Sequence, residues 1–188
     1  SLAIKNALVE RDVVNLIFPD DVQTLPAGDV KAATPDGRLS ENGIAPATSS
    51  LKAATEKISA AKKPILIVGY GARDSMNEII SLAENLKAPV LTTFKAKGQI
   101  SDFHPNAAGV LGRSGTPIAS WFMNECDLIV ALGTSFSNHT GIEKSKPIVQ
   151  VDFDQMALGK FHPVTVPVWG EIATTCRLLD QHISNAST

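Results

Sequence analysis

Side chains able to hold an anion or to bond a hydroxyl recur just after the apolar runs of this chain. The run P-I-L-I-V-G-Y-G (64–71) closes on Gly69 and Gly71, with Arg73 following. The next run leads into Thr92 to Gly98, with Lys95 inside the segment, and a further loop carries Gly109, Gly112 and Arg113. A third run closes on Gly133, Thr134, Ser135, Phe136, Ser137, Asn138 and His139, and a fourth on Asp152, Phe153 and Asp154. Glycine after a strand lets the backbone approach a ligand closely, and the first amides of the next helix face an anion. Guanidinium groups suit pyrophosphate oxygens, while carboxylates accept from ribose hydroxyls or an adenine amino group. Gly69, Gly71, Arg73, Thr92, Lys95, Gly98, Arg113, Gly133, Thr134, Phe136, Asp152 and Asp154 together fit a phosphorylated nucleotide. Each also has an ordinary alternative role. Loop cations are commonly solvated, Asp after a strand commonly caps a helix, and a glycine turn needs no ligand.

Several chemistries are excluded. A G-x-G-x-x-G dinucleotide fingerprint needs a third small residue where Asp74 stands. It also needs an acidic residue ending the second strand, where Thr92, Thr93 and Phe94 occur. No G-x-x-x-x-G-K-[ST] loop and no G-x-S-x-G nucleophile elbow is present. His104, His139, His162 and His182 lack metal-ligand spacing, and His139 reads as a polar loop residue. No catalytic residue is assigned. The set reads as binding, not bond-breaking.

The elements that must position these residues follow from patterning. A chain of 188 residues is long enough for one substantial core plus an appendage. Its 17 basic and 19 acidic side chains nearly balance, and no basic block offers nucleic acid a footprint. Apolar runs are of strand length, too short for a membrane span, and the first residues lack a signal-peptide core. Isolated Cys126 and Cys176 fit reduced thiols in a cytoplasmic protein.

Residues 1–20 read as a helix followed by a strand, V-V-N-L-I-F (13–18), stopped by Pro19. Residues 21–46 have linker chemistry, rich in Pro, Gly, Asp, Ser and Ala. From 47 to 184 the pattern alternates, with 185–188 as a tail. Ser49 or Ser50 is placed to cap a first helix. Strands are predicted over 64–68, 89–93, 127–132, 147–151 and 164–168. Helices are predicted over 75–86, 117–125, 156–159 and 172–182. This predicts an α/β fold: an open, mostly parallel sheet of five to six strands, helices on both faces, Rossmann-like without the NAD fingerprint.

Five segments occur in an order that resembles a known family. They are P-I-L-I-V-G-Y-G-A, A-P-V-L-T-T-F-K-A-K-G, H-P-N-A-A-G-V-L-G, C-D-L-I-V-A-L-G-T-S-F and I-V-Q-V-D-F-D-Q-M-A-L-G-K. The series resembles the central domain of thiamine diphosphate-dependent enzymes, the group of acetohydroxyacid synthases, pyruvate oxidases and 2-oxo acid decarboxylases. The opening A-I-K-N-A-L-V-E-R-D-V-V-N-L-I-F-P-D-D-V-Q resembles the end of that family's N-terminal pyrimidine-binding domain.

The resemblance implies a domain that holds FAD or ADP along its strand ends in some relatives and nothing in others. Carried across, Gly69 and Gly71 match the glycine turn, Thr92 to Gly98 the second-strand loop and Gly133 to Phe136 the third. Asp152 and Asp154 match an acidic pair near adenosine, and Arg73 and Arg113 resemble oxidase-like arginines. The G-D-G motif that binds thiamine diphosphate and Mg²⁺, and the activating glutamate, have no counterpart here. The chain is therefore expected to be an excised central domain, silent alone, whose partners are the N- and C-terminal domains of its own homo-oligomeric enzyme. A ligand-free spacer that supports oligomerisation and a free-standing nucleotide-using enzyme are the alternatives. One departure stands out: V-W-G-E-I, with Trp169 and Glu171, replaces the family's V-x-G-D-A turn. Glu171 still places a charge near the last helix's N-terminus.

Overall fold

A computed structural model describes residues 2–10, 12–29, 31–41, 43–137 and 139–186; Asn138, Ser187 and Thr188, named in the sequence reading, lie outside them. The chain divides into two compact units, Ser1–Asn42 and Gly43–Thr188. In the first, α1 (Leu2–Glu10) forms as predicted, and a single-turn α2 (Asp20–Gln23) follows Pro19. The strand expected over 13–18 does not form. Val13, Ile17 and Phe18 are exposed, so this β-branched run has neither a paired edge nor a covered face to hold it extended.

The second unit holds α3 (Thr48–Ala60), β1 (Pro64–Val68), α4 (Met76–Leu86), β2 (Val90–Thr92), β3 (Ala107–Val110) and α5 (Pro117–Glu125). It continues through β4 (Leu128–Leu132), β5 (Ile148–Asp152), β6 (Val166–Trp169) and α6 (Ile172–Ala186). The six strands are all parallel in the order β3-β2-β1-β4-β5-β6. Alternate side chains feed two apolar layers. Leu66, Val68, Val130 and Leu132 meet Ile58, Ile79 and Leu179 from α3, α4 and α6. Ile65, Ile67, Ile129 and Ala131 meet Ala119 and Met123 from α5. Burial on both faces is why β1 and β4 carry no polar residue.

Local chemistry sets the helix ends. Chain reversal after α4 comes from Lys87 in the left-handed region (φ 52°), whose N–H donates to the Ala83 and Glu84 carbonyls. Glu171 accepts from the Ala173 and Thr174 amides (2.9 and 2.6 Å) and caps α6, so the Asp-to-Glu departure keeps its charge at the helix start. Burial opposes ionisation of Glu171, but the Thr174 and Ala173 hydrogen bonds outweigh it and hold the carboxyl below its usual range.

Three further expectations are corrected. α3 starts at Thr48 behind Ala47 without a side-chain cap, because neither Ser49 nor Ser50 precedes the first turn. Residues 156–159 form turns, not a helix. The sixth strand is β3, A-A-G-V, inside the stretch read as loop. Among the described residues no helix is long and apolar enough to cross a membrane.

Candidate functional site

The sheet order reverses between β1 and β4. Such a switch point is where open α/β sheets place ligands. The loops are locked by glycine. A Cβ on Gly69 would come within 2.7 Å of the Gly133 carbonyl carbon and the Thr134 Cα. One on Gly133 (φ 59°) would lie 2.6 Å from the Ala72 nitrogen. Gly71 N–H donates to the Gly133 carbonyl at 3.1 Å. Side chains at these positions would push the loops apart.

Above this fork lies a cleft of about 350 Å³, at the low end of the roughly 300–1,000 Å³ typical of small-molecule sites. Of the predicted set, Gly69, Gly71, Lys95 and Gly133 line it. Thr92 lies buried below, its hydroxyl reaching the Gly109 carbonyl at 3.5 Å. Thr134 is also buried, and among the described residues its Oγ1 has no hydrogen-bond partner. Phe136, non-glycine yet in the left-handed region (φ 46°), is buried in the α5-side core. Its neighbours Ser135 and Ser137 are exposed and line the cleft. Holding a bulky residue at positive φ costs about 1 kcal/mol or more, offset here by burial of the ring.

Other predicted residues lie outside the lining. The Arg73 guanidinium sits 4.6 Å from the Tyr70 ring centroid and 3.7 Å from the Asp74 carboxylate. Arg113 is exposed, held by its amide to the His139 carbonyl. Gly98 (φ 91°) faces open space. Asp152 ends β5 and Asp154 follows it, each accepting the amide two residues on (2.9 Å). Burial, reinforced by the Asp154 charge, raises the Asp152 carboxyl above its usual range, although the Asp154 amide opposes this.

Two features lie outside the predicted site set. Tyr70 and Phe94, exposed aromatic residues, line the cleft; their position directly after β1 and β2 was the available signal. Gln150 is fully buried in β5. Its amide donates to the Thr134 and Ala157 carbonyls (3.2 and 3.0 Å) and accepts the Gly159 N–H at 2.9 Å. A lone amide in I-V-Q-V-D was its signal.

YdaP of Bacillus subtilis, named as a thiamine pyrophosphate-containing protein, is 36% identical over 143 residues, covering 76% of this chain and 25% of YdaP. Acetolactate synthase isozyme 1 large subunit of Escherichia coli is 30% identical over 170 residues, covering 87% of this chain and 28% of that subunit. The chain thus spans about a quarter of the length of these curated relatives. An X-ray structure from Mycobacterium smegmatis, described as thiamin diphosphate-dependent, shares the fold with a TM-score of 0.64 at 24% identity. It covers 78% of this chain and 30% of its own. Residues 51–179 match the family described as thiamine pyrophosphate enzyme, central domain, and the chain belongs to that family.

Proposed function

We propose that this chain serves as the central domain of a cytoplasmic, homo-oligomeric thiamine diphosphate-dependent enzyme acting on 2-oxo acids, of the acetolactate synthase type. In this reading its partners are the N- and C-terminal domains of the same enzyme. Its cleft holds the ADP portion of FAD, or ADP itself, and contributes no catalytic residue. The observation that carries the nucleotide reading is the cleft at the β1–β4 fork, with Lys95 on its wall and, between the lining residues Gly133 and Ser135, the buried Thr134, whose hydroxyl has no partner among the described residues. Its volume suits one nucleotide portion and is small for a whole dinucleotide. Lys95 supplies positive charge for a pyrophosphate, Ser135 and Ser137 supply hydroxyls, and Tyr70 or Phe94 supplies a ring face for a base.

Thiamine diphosphate held by Mg²⁺ supplies the electron sink in such an enzyme. Among the described residues no group of three His, Cys, Asp or Glu converges as a metal site, and this reading gives the chain no part in holding either. A second reading, a ligand-free spacer, draws on the glycine lock: contact between loops already explains Gly69, Gly71 and Gly133 without a ligand. Calorimetric titration with ADP, FAD and NAD, after recording the visible spectrum as purified, separates the two. Saturable ADP or FAD binding, or a co-purifying flavin, supports the nucleotide module. Silence with all three overturns it in favour of the spacer.

A further inference from the structure

A second cavity of about 440 Å³ opens at the opposite, amino-terminal end of the sheet, between α5 and the segment joining α4 to β2. Its floor is apolar, built from Pro64, Ile65, Leu86, Pro89 and Phe122. Pro64 and Pro89 carry no N–H and so offer no main-chain donor there. Trp121 stands there, 55% exposed and edge-to-face with Phe122 at a centroid distance of 4.9 Å. A half-exposed tryptophan over an apolar floor is the arrangement that stacks a flat ring.

The rim is cationic. Lys62, Lys63 and Lys87 line it against Glu125 alone. Lys63 is spoken for by Glu125 at 3.3 Å. Asp127, outside the lining, accepts the Lys62 and Lys63 amides (2.7 and 2.9 Å) and feels the Lys62 charge. Three lysines against Glu125 and Asp127, with the Lys146 ammonium donating to the Asn124 and Cys126 carbonyls nearby (both 2.6 Å), leave the rim net positive. Lys87 has no ion pair among the described residues, and its left-handed backbone (φ 52°) fixes where its side chain leaves the chain.

We propose that this cavity binds a planar aromatic monoanion, its ring on Trp121 and the apolar floor and its charge beside Lys87 and Lys62. The site is separate from the β1–β4 cleft and does not rest on the nucleotide reading.

The test is calorimetric titration of the full chain with naphthalene-2-carboxylate, and with the neutral naphthalene-2-carboxamide, each with and without ADP. Saturable one-to-one binding of the carboxylate is expected, about tenfold tighter than the amide and indifferent to ADP. Trp121→Ala should weaken both probes about tenfold. The double variant Lys62→Glu, Lys87→Glu should weaken only the carboxylate, by a similar factor. Trp121, Lys62 and Lys87 are exposed, so all variants should keep the parent circular dichroism. No saturable binding, equal affinity for the two probes, displacement by ADP, or unchanged affinity in either variant would each overturn the proposal.

Discussion

The side-chain amide of Gln150 and the main-chain carbonyl of Thr134 meet at 3.2 Å, tying the middle of β5 to the loop that leaves β4. The same amide group holds Ala157 and Gly159 at 3.0 and 2.9 Å. One buried side chain therefore spaces the two loops at the carboxyl ends of β4 and β5. A neutral amide suits this post, since it offers donors and an acceptor without the desolvation cost of a charge.

Replacing Gln150 by Leu leaves two carbonyls and one amide without these partners. An unsatisfied buried polar group costs about 1–3 kcal/mol, and partial relaxation should bring the total to about 3 kcal/mol. Urea unfolding should show a lower midpoint with an unchanged slope. A midpoint equal to the parent's would remove the brace from this account.

Gly69→Ala puts a methyl group against the Gly133 and Thr134 backbone, which has no flexible end to give way. The expected loss is about 3 kcal/mol, at the upper end of ordinary overpacking. Gly98→Ala meets nothing within 4 Å and carries only the strain of φ 91°, about 1 kcal/mol. The comparison, read by chemical denaturation, isolates contact from backbone strain. Gly71→Val is a poor probe of ligand approach for the same reason: its Cβ would sit 3.1 Å from Gly133 atoms, disturbing the fold along with any site.

Thr134→Val removes a buried hydroxyl that has no partner among the described residues, with little change of shape. Stability should rise by up to about 1 kcal/mol, while ADP affinity should fall about fivefold through a lost hydrogen bond. Opposite signs in thermal unfolding and calorimetry would mark a hydroxyl held for a ligand. Unchanged affinity would detach Thr134 from the site.

Acid titration should separate Glu171 from Asp152. The Glu171 carboxyl lies below its usual range in the folded chain, so its stabilisation is present above the ordinary carboxylate pKa and is lost as pH falls through the lowered value. Glu171→Gln should cost up to about 1 kcal/mol at pH 7, a difference that closes in acid. Asp152 is shifted upward, and its sign is reversed. Stability declines as pH rises from the ordinary carboxylate pKa through the raised one. Asp152→Asn should therefore be more stable than the parent at pH 7, with the gain fading below pH about 4. If Asp152 accepts a bond from the nucleotide, the same variant binds ADP less tightly; equal affinity would leave Asp152 as a turn former alone.

Much of the second unit was legible because double-sided burial leaves a strong mark. P-I-L-I-V and L-I-V-A-L are apolar throughout since both faces of β1 and β4 are covered. A-A-G-V gave no such signal. As an edge strand it packs through small residues, and it is fixed by bonds that sequence does not display, such as Val90 N–H to Asn106 O and Leu111 N–H to Thr92 O. The site was legible as a set of strand ends and less so as a lining. Nothing in the order G-Y-G-A-R-D announces that Arg73 lies against Tyr70 and Asp74. That choice is made by side-chain packing. Phe136, read among the strand-end candidates, turns instead into the α5-side core, and nothing in the sequence marks its left-handed backbone.

The contact between Gly69 and Gly133 also constrains how this chain can change over time. The two positions are 64 residues apart in the chain, yet neither tolerates a side chain while the other loop keeps its course. A single substitution at either place meets a barrier that only a rerouting of the opposite loop relieves. The first and fourth strand ends are thus constrained as one unit, and change in the cleft falls to neighbours such as Ser135, Ser137 and Lys95, whose side chains line it.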